Sequence, residues 1–173
     1  MTCVQSSTGG YNRNSTHDAI RDVVMSSLHS CGIPSSIETA NLLPTYMNTR
    51  GERKALLLDG VVAGMQDSRV GFDVSLVHSV PLSASEPGAP HRSKPTTLAY
   101  IEEREAKKLA KYGEACKSEG IKFRALCLST YGELGEEFLD FIDDITSYAA
   151  TVHSFSATSA NTRKQQLRRA IYQ

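Results

Sequence analysis

Two aspartates stand where strand-like sequence normally carries apolar side chains. Asp59 interrupts the run Ala55–Val62 (ALLLDGVV), and Asp73 lies inside Val70–Val77 (VGFDVSLV). A buried carboxylate is costly unless it is paired or bound to a cation, so each needs a physical reason. Side chains alternate along a strand, which puts Asp73 on one face with Ser75 and Val77, and Phe72, Val74 and Leu76 on the other. If Ala55–Asp59 pairs with Val70–Val77 as a hairpin, both carboxylates reach the same end of adjacent strands. Two oxygen donors placed so suit Mg²⁺ or Mn²⁺. Structural readings compete: Asp59-Gly60 is also a good turn dipeptide, and Asp73 can instead be bonded by a backbone amide or an arginine.

A helix supplies the second half of a possible site. From Leu98 to Ser118, the residues Leu98, Glu102, Ala106, Leu109, Ala110, Gly113 and Cys116 recur as a mostly apolar stripe. Lys108 and Tyr112 sit four apart at its edge, while Lys107, Lys111 and Lys117 point more to solvent. A lysine at that edge can extend its ammonium over the end of a sheet and hold a water or a phosphate oxygen there. The competing reading is an ordinary solvated lysine.

Residues 1–14 are rich in Ser, Thr, Gly and Asn and read as a disordered lead-in. A helix should start at Ser15 or Thr16 and stop at Cys31-Gly32, with Ile20, Val23, Val24, Leu28 and Cys31 along one face. Residues 34–39 are a plausible first strand, and residues 40–53, with Pro44, Asn48 and Gly51, read as a loop. Ala55–Val62 reads as a strand ending in a turn at Asp59-Gly60, followed by the strand Val70–Val77. Residues 79–97 hold four of the six prolines and form a long loop. After the lysine helix come an alternating strand, Ile121–Ser129, a turn at Gly132–Gly135, and a helix with Leu134, Phe138, Phe141, Ile142, Ile145 and Tyr148 on its buried side. Residues 151–173 are expected to be a basic helix or tail. The order α-β-β-β-α-β-α implies an α/β fold, with a mixed four-stranded sheet flanked by helices.

Composition narrows the function. The chain has 173 residues, with 19 Lys+Arg against 19 Asp+Glu, a balance that argues mildly against a protein devoted to non-specific DNA binding. Charge is nonetheless segregated. Lys107, Lys108, Lys111, Lys117 and Lys122 lie between Arg104 and Arg124, Arg163, Lys164, Arg168 and Arg169 lie in the tail, and Glu133, Glu136, Glu137, Asp140, Asp143 and Asp144 lie between. The four cysteines form no CxxC pair and show no zinc spacing. No GxGxxG, P-loop or GxSxG motif is present, which leaves a nucleotide-cofactor enzyme or serine hydrolase without support. With neither a bilayer-spanning apolar run nor a signal-peptide pattern, no membrane association is expected and an intracellular protein is, nuclear in a eukaryote.

Asp59, then thirteen residues, then Asp73-Val74-Ser75 resembles the PD-(D/E)xK nuclease core. With HDxxR (His17, Asp18, Arg21) and KLAKYG (Lys108–Gly113), the set is similar to the restriction-endonuclease-like domain of site-specific non-LTR retrotransposons, over about residues 15–150. The resemblance implies a Mg²⁺- or Mn²⁺-dependent endonuclease acting on DNA, double-stranded by analogy with the family, with a homodimer as one route to cutting both strands. It implies Asp59 and Asp73 as metal ligands, with Glu38 as a further one. Lys108, or Lys111 in competition with it, takes the catalytic lysine's part, with Tyr112 beside it. His17 and Arg21 would contact phosphate or act structurally, and the tail residues Arg163, Lys164, Arg168 and Arg169 would grip DNA. Two positions depart from the pattern: Leu58 replaces the proline before the first acid, and Ser75 stands where the core motif has its lysine. The alternative is a non-catalytic nucleic-acid-binding or assembly domain on the same fold.

Overall fold

Phe72, Val74 and Leu76 on one face of the central strand, and Asp73, Ser75 and Val77 on the other, need two different coverings, and the fold supplies both. The computed structural model describes residues 11–37, 42–47, 50–65, 68–78, 96–152 and 157–172. Among these the elements run α1 (Tyr11–Ser30), β1 (Ser35–Ile37), β2 (Thr45–Met47), β3 (Arg53–Ala55), β4 (Gly60–Met65), β5 (Ser68–Val77), α2 (Thr97–Ser118), β6 (Ile121–Ser129), α3 (Glu136–Val152) and α4 (Ala157–Tyr172). The main sheet has the order β1-β4-β5-β6. β1–β4 and β4–β5 are antiparallel, while β5–β6 is parallel, so the sheet is mixed. A parallel neighbour requires a crossover, and α2 provides it.

The apolar face of β5 packs under α1 and α3. Val24, Leu28, Val62, Phe72, Val74, Leu126, Phe138, Phe141 and Ile142 form that core. The Phe72 and Phe141 rings meet at 5.5 Å between centroids, and full burial of one such side chain contributes roughly 1.5–3 kcal/mol. α4 packs against α3 and α1. The opposite face is covered by α2, whose Ile101 packs on Val77, Ala125 and Cys127. Further along α2, Tyr112 and Cys116 close over Leu43, Leu56, Leu58, Val61 and Ile121. Arg124 looks out of place in β6, but it turns to the α3 side and meets Glu137 at 2.7 Å and Asp144 at 2.8 Å.

Several boundaries differ from the sequence reading. α1 begins at Tyr11 rather than at Ser15 or Thr16. Residues 40–53 are not wholly loop, since β2 and β3 pair as a small antiparallel sheet. The run Ala55–Val62 is not one strand: Ala55 ends β3, and β4 starts only at Gly60. Leu56 and Leu58 instead drop into the core under α2, so burial overrides strand continuity. The hairpin partner of β5 is therefore β4, with Gly60 opposite Phe72 and Val62 opposite Val70. α2 is capped by Thr96, whose side chain accepts from the Ala99 amide at 3.2 Å. Among the described residues no helix is long and apolar enough to cross a membrane.

Candidate active site

β4 ends its pairing at Gly60, while β5 continues to Val77 with, among the described residues, only β6 beside it. The sheet therefore has a notch next to the second half of β5, and Asp59 stands at its lip. The Asp59 amide donates to the Phe72 carbonyl at 3.0 Å. Its carboxylate Oδ2 accepts from the Val74 amide at 2.6 Å, taking a backbone donor that the departing strand leaves behind. The turn-residue reading of Asp59 gives way to this: the residue caps the sheet at the entry of β4 and carries its carboxylate to Asp73.

Asp73 is 5% exposed and faces α2. Lys108 reaches down from α2 and donates to Asp73 Oδ2. Burial pushes the Asp73 carboxyl above the usual carboxylate range, although Lys108 pulls it down and Asp59 adds to the rise. Tyr112 stands beside Asp73, whose charge adds to the effect of burial in raising the phenol's pKa, and accepts from Lys111 Nζ at 2.9 Å. Burial first, then the Lys108 charge, lowers the Lys111 pKa. Lys111 Nζ lies 4.5 Å from the Tyr112 ring centre and 5.8 Å from that of Tyr46, an arrangement that favours a cation electrostatically. Behind it, Tyr112 stacks on Phe123 at 5.1 Å.

From the other side of the sheet, His17 Nε2 meets Asp59 Oδ2 at 3.0 Å. The bond to Asp59 raises the His17 pKa to about 9, against the opposing effect of burial. His17 is thus an imidazolium donor at neutral pH, which disfavours its use there as a general base. Arg21 is held on α1 by Asp18 and Asp22, each at 3.2 Å. His78, at the end of β5, is exposed.

Five of the residues singled out in the sequence therefore meet at the notch: Asp59, Asp73, Lys108, Lys111 and Tyr112. His17 makes a sixth through a contact that spans 42 positions. Glu38 lies outside the described residues. The α4 cations are not joined to the carboxylates by any ion pair among the described residues; Lys164 bonds Asp143 of α3 instead. Arg168 is half-buried and Arg169 exposed, while Arg163 is placed in α4 by its backbone alone. Sequence reasoning missed Tyr46, because a three-residue strand beside Pro44 carries no periodic signal. It also missed the stacking of Phe123, whose alternation showed only that it shares a face with Ala125.

Two opposed carboxylates fit a hard divalent cation, with water and phosphate oxygens completing its shell. Among the described residues no group of three or more His, Cys, Asp or Glu side chains gathers to hold a metal, so the fit rests on Asp59 and Asp73. Lys108 and His17 engage the same oxygens and would have to turn aside from a bound cation. Neither a protein-family model nor a curated protein matches this chain.

Proposed function

We propose that the chain is a divalent-metal-dependent endonuclease hydrolysing DNA phosphodiester bonds, on a restriction-endonuclease-like α/β fold. The observation that carries the reading is the meeting of Asp59, at the sheet notch, with Asp73 and the Lys108 ammonium delivered to it from α2. Mg²⁺ or Mn²⁺, when bound, supplies Lewis-acid activation of water and phosphate. Asp59 and Asp73 would hold the cation, Asp73 from a buried position on the sheet face that α2 covers. Lys108 swings from Asp73 to the phosphate oxygen on which charge develops. Lys111, gripped by Tyr112, fixes a flanking phosphate, and His17 offers a further donor. Double-strand cleavage takes two copies of the site or two successive nicks, so a homodimer belongs to the proposal, as does duplex DNA as substrate. Such an enzyme works inside the cell, in the nucleus of a eukaryote.

One observation favours a second reading, a nucleic-acid-binding or assembly domain without catalysis. Lys108 and His17 already answer the two carboxylates with fixed positive charge, so the notch is electrostatically satisfied without metal. Incubating the protein with supercoiled plasmid in Mg²⁺, Mn²⁺ or EDTA separates the two. Metal-dependent nicking, abolished in folded Asp73→Asn, supports the nuclease. No cleavage by folded protein, together with duplex binding that Asp73→Asn leaves intact, sinks it in favour of the binding domain.

A further inference from the structure

We infer that His17 is a latch: it ties the first turns of α1 to the carboxylate notch by occupying an Asp59 oxygen that a divalent cation needs, so that cation uptake releases those turns. The inference rests on the metal-dependent reading above and adds to it how access to the notch is governed. α1 buries Ile20, Val24 and Leu28 against the sheet. Three positions before Ile20, the same helical stripe continues to His17, past the edge of that core and over the notch. Ser15, Thr16, Asp18 and Ala19 are exposed, and His17 alone of that stretch is half-buried. Its Nε2 meets Asp59 Oδ2 at 3.0 Å. His17 is therefore the side chain that draws this end of the helix inward.

The chemistry of the oxygen makes the contact exclusive. Asp59 Oδ2 also accepts from the Val74 amide at 2.6 Å, and one carboxylate oxygen offers about two lone-pair sites. Val74 lies inside β5, paired to β6, so its amide cannot withdraw, whereas His17 can. A cation that takes Oδ2 displaces the ring and leaves the backbone donor. Lys108 is a different case. It reaches Asp73 on a long flexible chain that can swing by itself, while α2 stays anchored by Ile101, Tyr112 and Cys116. The His17 side chain is short, and whichever way its ring leaves, the turns before Ile20 lose their inward tie and fray more readily. Release is eased by a carboxylate on the same helix, since His17 Nδ1 lies 3.3 Å from Asp18 Oδ1.

The test measures Mn²⁺ binding, from the paramagnetic resonance of the free ion, and amide exchange over residues 15–19, both on the full chain. His17→Ala should bind Mn²⁺ about fivefold tighter or more, because no internal donor competes for Oδ2. Saturating Mn²⁺ should speed exchange at residues 15–19 in the unsubstituted protein and leave it unchanged in His17→Ala. Arg21→Gln removes a charge from the same helix, where Arg21 is held by Asp18 and Asp22, and should leave Mn²⁺ affinity within about twofold. Equal affinity of His17→Ala and the unsubstituted protein would overturn the latch and show that the cation uses the other Asp59 oxygen, with the metal-dependent reading intact. Weaker binding by His17→Ala would overturn it too, making His17 a ligand, and so would an equal gain in Arg21→Gln, which would reduce the effect to net charge. The expected affinities and exchange without cleavage of plasmid would sustain the latch and sink the nuclease. No Mn²⁺ binding by any of the three proteins would sink both.

Discussion

Burial raises the Asp73 pKa even while Lys108 draws it down, so removing one charge is not equivalent to removing the other. In Asp73→Asn, Lys108 (18% exposed) can turn to water, and the cost should be about 1 kcal/mol or less. In Lys108→Met the carboxylate stays buried without its partner, and the cost should approach ~3 kcal/mol. The pH sign follows from the direction of the shift. An acid whose folded pKa is raised penalises the fold above that pKa, and the penalty vanishes below the unfolded value. Urea denaturation of Lys108→Met at about pH 5 and about pH 8 should therefore show the larger loss at the higher pH; equal losses would mean Asp73 is not the group left uncompensated. His17 runs the other way. Its pKa rises from 6.5 to about 9 on folding, so its contribution is fully present below pH 6.5 and is lost as pH climbs through about 9. After allowance for solvent screening that contribution is about 1 kcal/mol. His17→Gln should flatten the decline in stability over that window, and a Tm-versus-pH curve parallel to that of the unsubstituted protein would refute the assignment.

At the scale of elements, Gly60 decides where β4 can begin. A Cβ built on Gly60 would lie 2.4 Å from the Phe72 ring and 3.2 Å from Met25 Sδ, and both side chains are buried. Gly60→Ala should cost about 2 kcal/mol by overpacking. It should also push Asp59 away from the Val74 amide, seen as faster exchange of that amide; an unchanged stability would show that the core has slack there. The glycine of Asp59-Gly60 is thus required by a close approach, not by a turn, and residue types alone do not separate the two demands. β5, α2, β6 and α3 were legible because their periods persist over nine residues or more, and alternation along β5 put Asp73 on the α2 face. Lys108 was singled out from a stripe of the wrong phase: Leu98 and Leu109 of the expected stripe are 44% and 58% exposed, and Ile101, Tyr112 and Cys116 are instead the buried side of α2. The small β2–β3 sheet was not, since three-residue strands carry no period and Pro44 and Gly51 read as breakers. The His17–Asp59 contact was not legible: the family resemblance singled out His17 but not its partner, and nothing local links residues 42 positions apart.

The whole molecule balances 19 cationic against 19 anionic side chains, yet α2 sorts them around its axis. Glu102, Glu105 and Leu109 line a groove between α2 and α3. At 100° per residue, Arg104, Lys107 and Lys111 fall on roughly the opposite side of the helix. Lys108 and Tyr112 lie between the two, over the sheet. On the proposed nuclease reading, duplex DNA would reach Asp59 and Asp73 from the Lys111 side, because the other approach brings phosphates against carboxylates. Lys107 is partly answered by Glu103 at 2.5 Å, but an exposed i,i+4 pair is worth little and yields readily to a phosphate. Each cation that neutralises a phosphate adds about 0.9 to the slope of log K against log salt. Replacing Arg104 and Lys107 by Gln should lower that slope by about 1–2 in an anisotropy titration with a duplex. Replacing Glu102 and Glu136 by Gln should leave it where it was. If both pairs of substitutions moved the slope alike, α2 would not be orienting the duplex, and the neutral net charge of the chain would be the better description of its encounter with DNA.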